Sequence, residues 1–205
     1  MTLRPQQPAG TPGVDLWCFS LAPMPGELAW LSLDLSEAER RRADQLTASV
    51  VRRRFIAARA GLRRILARYA DAAPASLVLR TGEHGKPNLR GGPEFNLSHS
   101  GDLALCAVGG TRPVGVDVEE LRPVPEALAI AERHLGPEAT RSLREGGPVL
   151  ASIFLRHWTR REAYLKALGV GLAVEAPPAL DPDRWEVHEL TPAAGYIGAL
   201  VVARA

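Results

Sequence analysis

The sequence predicts an α+β fold made of two similar α/β halves, and three observations support this class. The chain has 205 residues, enough to bury one good core or two small ones. Its composition, 46% apolar and 23% charged, argues against extensive disorder. The expected elements run strand, helices, strands, and this order occurs twice, which is typical of an α+β fold. We therefore expect a tail over residues 1–14 and two halves over residues 15–112 and 113–205.

The first half is expected to begin with a strand at residues 16–20 and to continue as a helical stretch over residues 36–70. Within that stretch, apolar residues recur at helical spacing, which indicates a side that faces the core: Val51, Phe55, Ala58, Leu62, Leu66 and Tyr69. Further strands are expected near residues 77–80, 95–97 and 103–108, and a turn at residues 109–113 ends this half.

The second half is expected to start with a strand at Val114. A helix follows over residues 125–145, broken by Gly136-Pro137, and a second helix covers residues 152–169. Strands at residues 185–190 and 196–203 finish the chain. Before both halves, residues 1–14 contain several prolines and no apolar signal core, so we expect a flexible tail there.

Several classes of protein are excluded by the composition. No apolar run approaches the roughly 18 residues that a membrane-crossing helix needs, so we expect no membrane partner. Cys18 and Cys106 are too few and too isolated for a disulfide framework or a zinc site. The cytoplasm is the expected compartment.

An acidic strand at residues 114–119 provides the first functional signal. Because side chains alternate along a strand, the three valines share one face, and Gly115, Asp117 and Glu119 share the other. Two carboxylates with a glycine beside them can hold one hard cation. Magnesium takes one or two protein carboxylates and completes its shell with water and substrate phosphates. The alternative is the solvated edge of an amphipathic strand, since this spacing is common.

A third carboxylate lies on the expected helix at residues 152–169. Glu162 and Lys166 are four residues apart and share one helix face. A surface ion pair is one alternative. A capping box made by Thr159 and Glu162, with Trp158 as the preceding apolar residue, is another. Together with the acidic strand, the pair suits a magnesium-held diphosphate, which favours phosphoryl-transfer chemistry.

The lysine content supports this interpretation. Of the 25 basic residues, only Lys86 and Lys166 are lysines, which suggests roles for a compact, flexible point charge, although chance is the alternative. Lys86 lies in a Gly/Pro loop at residues 83–87 that could present its ammonium group to a phosphate. Ser98, His99 and Ser100 offer donors that suit a phosphate monoester, with a plain serine-rich turn as the alternative.

Four motifs in order resemble those of the 4'-phosphopantetheinyl transferases, of the long, surfactin-synthetase-activating (Sfp) type. They are Gly85-Lys86-Pro87, Phe-Asn-Leu-Ser-His-Ser at residues 95–100, Gly-Val-Asp-Val-Glu at residues 115–119, and Trp-Thr-x-x-Glu-Ala-x-x-Lys at residues 158–166. The resemblance implies magnesium-dependent transfer of the phosphopantetheine arm of coenzyme A to a serine of an apo carrier protein, with release of adenosine 3',5'-bisphosphate. It also implies pseudo-twofold halves with the site between them.

The same resemblance implies the roles of the acidic residues and of one lysine. Asp117, Glu119 and Glu162 would be the magnesium ligands, with manganese as the alternative metal. Glu162 would also be the general base for the incoming serine, since a carboxylate within reach of the hydroxyl can take its proton. Lys166 would contact the diphosphate and stabilise the leaving group.

Coenzyme A binding is implied for further residues. Lys86 and Pro87 would line the adenine and phosphate end, and Ser98 and His99 would hold the ribose 3'-phosphate. Well-known members use lysines and a threonine in the amino-terminal half, where this chain has Phe55 near the expected threonine and arginines at positions 40, 42, 54 and 59. We select Arg42 and Arg54 as phosphate ligands, and which arginine replaces which lysine stays open. Arg161 stands where the family commonly has lysine.

The expected partners follow from the same features. Ten arginines lie between Arg40 and Arg68, but the whole chain carries a net charge of only +2, so phosphate recognition is favoured over nucleic-acid binding. Over a hundred residues precede Asp117, which favours the long, monomeric type over the short, trimeric carrier-synthase branch. The acceptor is a peptidyl, acyl or polyketide carrier. A non-catalytic module that binds coenzyme A or a carrier protein is the alternative function.

Overall fold

The computed structural model describes residues 3, 5–6, 11, 13–82, 85–170 and 179–205. The α+β class expected from the sequence is confirmed by long helices and three antiparallel sheets among these residues. None of the described helices is long and apolar enough to cross a membrane.

The first half contains six strands and three α-helices among its described residues. Their bounds are β1 Pro5–Gln6, β2 Asp15–Ser20, α1 Glu27–Ser32, α2 Glu37–Asp44, α3 Ser49–Leu66, β3 Leu79–Thr81, β4 Pro87–Leu89, β5 Glu94–Ser100 and β6 Leu103–Gly110. Strands β1, β2, β6 and β5 form one antiparallel sheet in that spatial order, and β3 pairs with β4 in a separate hairpin.

The second half repeats this plan with fewer strands. Its described elements are β7 Val114–Glu120, α4 Ala127–His134, α5 Gly136–Glu145, α6 Leu150–Leu168, β8 Trp185–Leu190 and β9 Tyr196–Ala203. Strand β9 lies between β7 and β8 and is antiparallel to both. Each half therefore packs one long helix, α3 or α6, against one antiparallel sheet.

The two sheets face each other across a shared apolar core. Val114, Val116 and Val118 point from β7 toward the first sheet and are fully or almost fully buried, as the alternation predicted. They pack with Leu105 of β6 and Leu200 of β9. The layers therefore run α3, first sheet, second sheet, α6, with β5 and β7 meeting between the halves.

The opposite face of β7 packs against α6. A Cβ atom added to Gly115 would lie 2.0 Å from the carbonyl oxygen of Ala163 and 2.3 Å from the amide nitrogen of Ala167. Glycine is therefore required at this position because the helix backbone lies directly on the strand. The space beside Gly115, expected from the sequence to help hold a cation, is filled by α6.

A buried ion pair joins α2 to α3. Ser36 and Glu39 form a capping box at the start of α2. The carboxylate of Glu39 also accepts hydrogen bonds from Arg63, which is buried, and from Arg59 at 2.6 Å. Burial opposes ionisation of Glu39, but the Arg59 charge, the Ser36 amide and the Arg63 hydrogen bond together hold its pKa below the usual value.

Three features of the first half differ from the sequence expectation. The helical stretch at residues 36–70 is divided into α2 and α3, because the chain folds back at residues 45–48 so that α2 can pack on α3. Val51 is exposed at the solvent end of α3, and Tyr69 lies beyond the helix end, where Trp17 Nε1 donates to its hydroxyl oxygen at 3.2 Å. Helix α1 and strand β4 were not expected.

Most of the expected tail at residues 1–14 lies outside the described residues. The described part contacts the first sheet, since Pro5–Gln6 pairs with β2 and both Thr11 and Val14 are buried. The predicted strands and helices of the second half agree with the structure within a few residues.

Removing the buried acid of the α2–α3 pair should destabilise the protein. For Glu39→Gln we expect a loss of about 3 kcal/mol in unfolding free energy at pH 7, because the buried Arg63 loses its counter-charge. The folded pKa of Glu39 is depressed, so its contribution is complete above the ordinary value of 4.5 and is lost as pH falls through the folded value. The gap between variant and wild type should therefore narrow in acid.

Urea unfolding at pH 7 and at acid pH measures this difference. Glu37→Gln is the matched control, because Glu37 forms an exposed i,i+4 pair with Arg41 on the same helix. It should change stability by less than about 0.5 kcal/mol. Equal effects of the two variants would show that the Glu39 pair is not a stabilising element.

A methyl group at position 115 should also be damaging. We expect Gly115→Ala to cost about 3 kcal/mol in unfolding free energy, because α6 must move away from β7. Thermal and urea unfolding measure the loss. Gly26→Ala is the control, since Gly26 has a negative φ and no described atom within 4 Å of an added Cβ. Unchanged stability of Gly115→Ala would contradict the tight contact.

Candidate active site

The candidate site lies along the seam where β5 and β7 run side by side. Each strand is at the edge of its own sheet. Side chains of β5, instead of a ladder of backbone hydrogen bonds, join β5 to β7. Asn96 Oδ1 accepts a hydrogen bond from the buried amide of Val116 at 2.9 Å. Ser98 contacts Asp117, and Ser100 contacts Glu119, so the two strands run parallel in a defined register.

Asp117 and Lys166 form the centre of the seam. Lys166 Nζ on α6 donates to Asp117 Oδ1 at 2.6 Å and to Ser98 Oγ at 3.1 Å. Ser98 Oγ in turn donates to the same Asp117 oxygen at 2.8 Å. Three elements, β5, β7 and α6, therefore converge on one carboxylate, and Asp117 is only 4% exposed.

The structure rules out the simpler interpretations of these motifs. Asp117 is buried, so it does not lie on a solvated strand edge. Thr159 lies in the middle of α6, where its hydroxyl donates to the Arg156 carbonyl at 3.2 Å, so it does not cap a helix. Glu162 is 4% exposed and the ion pair of Lys166 is with Asp117, so Glu162 and Lys166 do not form a surface pair.

Glu119 lies further along β7 and is half buried. Its Oε2 accepts a hydrogen bond from Ser100 Oγ at 2.8 Å and lies 3.6 Å from the Arg122 guanidinium. Burial raises the pKa of Glu119, and the negative charge of Asp117 raises it further. The Ser100 hydrogen bond acts in the opposite direction.

Glu162 approaches the same region from α6, one turn before Lys166. Its Oε1 lies 3.4 Å from Arg161 Nη1, so the arginine at this position supplies a positive charge beside Glu162. Burial is the largest cause of the raised pKa of Glu162, and the charge of Asp117 is the next. The three acids therefore repel one another in a poorly solvated place.

The oxygen atoms present fit a magnesium ion. Among the residues that the structure describes, Asp117 Oδ2 is buried and has no hydrogen-bond partner, although such atoms are normally satisfied. No group of three or more His, Cys, Asp or Glu in the described ranges is arranged to hold a metal. Magnesium needs only one or two protein carboxylates, so Asp117 with one glutamate meets its requirement.

Lys86 lies at the other end of the seam, beside a cleft of about 310 Å³. Its Nζ donates to the Val114 carbonyl at 3.2 Å and lies 3.6 Å from Glu94. Burial lowers the pKa of Lys86. Pro87 lines the same cleft, and Gly169 at the end of α6 closes it. Residues 83–84 of this loop lie outside the described residues.

Ser98 and His99 point to opposite sides of β5. Ser98 is buried and faces Asp117, whereas the His99 side chain is exposed. The pKa of His99 is lowered by partial desolvation first, and then by the positive charges of Lys166 and Arg54. His99 therefore shares a positive environment with Arg54, while the Ser98 hydroxyl is engaged within the protein.

The two selected arginines have different surroundings. Arg54 Nε donates to Asp102 Oδ1 at 2.8 Å, and Arg53 contacts the same oxygen at 3.0 Å. This pair with Asp102 raises the pKa of Arg54. Arg42 is exposed on α2 and donates to Gln45 Oε1 at 3.3 Å, and no described contact joins it to the carboxylates.

The other two arginines considered from the sequence have structural contacts. Arg59 pairs with Glu39, and Arg40 donates to the Leu35 carbonyl at 2.6 Å. Both contacts hold α2 to its surroundings.

Sequence reasoning missed Asn96 and Asp102, and it gave Ser100 no contact with Glu119. A signal was available for two of them. Asn96 and Ser100 lie two residues on either side of Ser98, and the carboxylates of β7 repeat with the same spacing. Two strands with polar side chains at the same period can be matched in register. No local pattern links Asp102 to Arg54, which is 48 residues away.

Comparisons with known proteins agree with this geometry. A family model described as the 4'-phosphopantetheinyl transferase superfamily matches residues 113–200, which include Asp117, Glu119, Glu162 and Lys166. The 4'-phosphopantetheinyl transferase HetI of Nostoc sp. is 38% identical over 209 residues, which cover 93% of this chain and 87% of the relative.

Two further relatives match a smaller share of the chain. The phosphopantetheinyl transferase of Thraustochytrium sp. is 29% identical over 178 residues, covering 78% of this chain and 62% of that protein. The 4'-phosphopantetheinyl transferase Sfp of Bacillus subtilis is 29% identical over 116 residues, covering 55% and 50%. With its seam of acids and lysine and its match along most of HetI, the chain belongs to the 4'-phosphopantetheinyl transferase family.

Proposed function

We propose that this protein transfers the 4'-phosphopantetheine arm of coenzyme A to a serine of an apo carrier protein. The observation that carries the proposal is the convergence of Asp117, Glu162 and Lys166 from β7 and α6 at one seam. Family membership supports the type of reaction. In the proposed reaction, the serine oxygen bonds to the phosphorus next to pantetheine, and the bond between that phosphorus and the bridging oxygen breaks, so the bridging oxygen stays with the leaving group. Adenosine 3',5'-bisphosphate leaves.

Glu162 is the proposed general base, and it takes the proton that the serine hydroxyl loses. Burial and the charge of Asp117 raise the pKa of this carboxyl, which makes its ionised form a stronger proton acceptor. The nearby guanidinium of Arg161 and the ammonium of Lys166 act in the opposite direction and favour the ionised form.

Lys166 is the proposed contact for the diphosphate. Its ammonium is held 2.6 Å from Asp117 by α6, so it needs no reorganisation to meet the negative charge that grows on the leaving group. Ser98 accepts from the same ammonium and fixes its direction. Asp117 with Glu119 or Glu162 would hold magnesium or manganese, which would neutralise the diphosphate, and a third carboxylate ligand stays a prediction.

Coenzyme A is proposed to bind along the seam and the adjoining cleft. The cleft beside Lys86 and Pro87 suits the adenine and phosphate end. His99 lies within the field of the Arg54 charge, and we assign the ribose 3'-phosphate to this end of β5. The contact of Ser98 with that phosphate stays a prediction, as does the role of Arg42. Arg54 would exchange Asp102 for phosphate on binding.

The acceptor and the assembly state are part of the proposal. A peptidyl, acyl or polyketide carrier presents its serine at the start of a helix, which would meet Glu162 at the seam. We propose that the protein acts as a cytoplasmic monomer and that both halves of one chain complete the site, since β5 and β7 supply the groups described above.

Intact-mass spectrometry of apo carrier proteins tests the proposal. Peptidyl, polyketide and fatty-acid carriers are incubated with the protein and coenzyme A, with magnesium or with a chelator. We expect a magnesium-dependent mass gain of one phosphopantetheine arm on at least one carrier. If none gains mass while coenzyme A binds, the result favours the non-catalytic binding module or an unusually narrow choice of acceptor.

Replacing the proposed base should separate chemistry from binding. We expect Glu162→Gln to lower the turnover number by a factor of about 100 or more, because the serine proton loses its acceptor. Coenzyme A affinity, measured by calorimetry, should fall much less. Glu132→Gln is the control, since Glu132 forms an exposed pair with Arg144 away from the seam. Unchanged turnover in Glu162→Gln would remove this residue from its role.

Lys86 should affect substrate binding more than chemistry. We expect Lys86→Ala to raise the KM for coenzyme A about tenfold, with a smaller change in kcat. A tenfold change corresponds to the free energy of about one charge-assisted hydrogen bond. Steady-state kinetics with a saturating carrier protein measure both constants. A fall in kcat larger than the rise in KM would locate Lys86 at the reacting phosphorus instead.

A further inference from the structure

Ser100 is the last residue of β5, and its hydroxyl contacts β7 twice. Ser100 Oγ accepts a hydrogen bond from the backbone amide of Glu120 at 3.1 Å. The same oxygen donates to Glu119 Oε2 at 2.8 Å. The Ser100 side chain therefore binds both the backbone of β7 and the carboxylate of Glu119, the residue before that amide.

These two contacts determine where the hydroxyl proton points. A serine hydroxyl has one hydrogen to donate and two lone pairs to accept with. The Glu120 amide is a donor, so it can only use a lone pair of Ser100. The single proton is thereby directed to Glu119, whose carboxylate must be the acceptor.

The consequence is an oriented carboxylate. Of the contacts that the structure describes for Glu119, both the Ser100 hydroxyl and the Arg122 guanidinium meet Oε2. No described hydrogen bond or ion pair is made to Oε1, so this is the carboxylate oxygen that remains for a cation. A half-buried glutamate between like charges would otherwise gain by rotating away or by taking up a proton.

Ser98 shows the same arrangement at the next position of the strand. Its oxygen accepts from Lys166 and donates to Asp117, so its proton is also directed to a carboxylate. Asn96, two residues earlier, accepts from the Val116 amide and fixes the register of β7. We call Asn96, Ser98 and Ser100 the polar row of β5. Its members contact successive positions of β7, which include Asp117 and Glu119.

We propose that Ser100 is a positioning residue that orients Glu119 as a ligand for the divalent cation. The inference rests on the proposed function only in taking Glu119 as a metal ligand. Partners of metal ligands typically change metal affinity by about 10- to 100-fold when they are removed. Ser100 touches neither coenzyme A nor the carrier in this assignment, so its effect should fall on the metal.

A pair of equal-shaped variants tests the proposal. Ser100→Thr keeps the hydroxyl, and Ser100→Val replaces it with a methyl group on the same branched side chain. Manganese binding is measured by electron paramagnetic resonance of free Mn²⁺ in the presence of coenzyme A, with the contribution of coenzyme A alone subtracted. This readout does not require activity, so it remains valid if no carrier is modified.

We expect Ser100→Val to weaken manganese binding by about tenfold or more, and Ser100→Thr to stay close to wild type. In the transfer assay, the magnesium concentration for half-maximal rate should rise by a similar factor in Ser100→Val. Its kcat at saturating magnesium should be largely retained. Ser142→Ala is the control, since this serine contacts only its own helix among the described residues.

Two outcomes would overturn the inference. Equal manganese affinity in Ser100→Val and Ser100→Thr, whether retained or lost together, would show that the hydroxyl does not act on the metal. Equal weakening of metal-free coenzyme A binding and of manganese binding in Ser100→Val would show a general structural role. Absence of transfer by the wild-type protein, with the Thr and Val variants differing in manganese affinity, would reject the proposed function and keep the inference.

Discussion

The contact between Lys166 and Asp117 is the interaction on which the rest of the site depends. It joins the helix of the second half to the strand at the seam, and Ser98 extends it to the first half. Two features allow it: Gly115 lets α6 lie on β7, and Asn96 fixes the register between β5 and β7. Buried ion pairs add little net stability, because desolvation offsets much of their attraction. A catalytic role explains why the buried acids and Lys166 lie together at one seam better than a contribution to stability does.

Each acid at the seam has a cationic neighbour, yet the acids still repel one another. Burial raises the pKa values of Glu119 and Glu162, and Asp117 raises both further. A divalent cation beside Asp117 Oδ2, an atom with no partner among the described residues, would relieve this repulsion. As pH falls through these raised values, the two glutamates become neutral before ordinary carboxyls do, so cation affinity should decline early in acid. The polar row of β5 opposes that loss by donating to the carboxylates.

The sequence predicted the second half better than the first, for physical reasons. Alternation in β7 and helical spacing around Glu162 are local signals, and both elements formed as expected. The break between α2 and α3 depends on packing that no window of residues reveals. The pair of Arg54 with Asp102 is likewise a long-range contact. Ser98 was expected to face a phosphate with His99, yet alternation along β5 points the two to opposite sides. Because successive side chains of a strand point to opposite faces, the sequence alone could have predicted that Ser98 and His99 lie on different sides.

One measurement tests most directly whether the seam is the metal and substrate site. Crystals of the protein with coenzyme A and Mn²⁺ would be examined by anomalous scattering at the manganese edge. We expect a single strong peak at coordination distance from Asp117 Oδ2 and from at least one of Glu119 and Glu162, with the diphosphate completing the shell. A manganese peak on the diphosphate alone, with Asp117 still bonded only to Lys166 and Ser98, would contradict it.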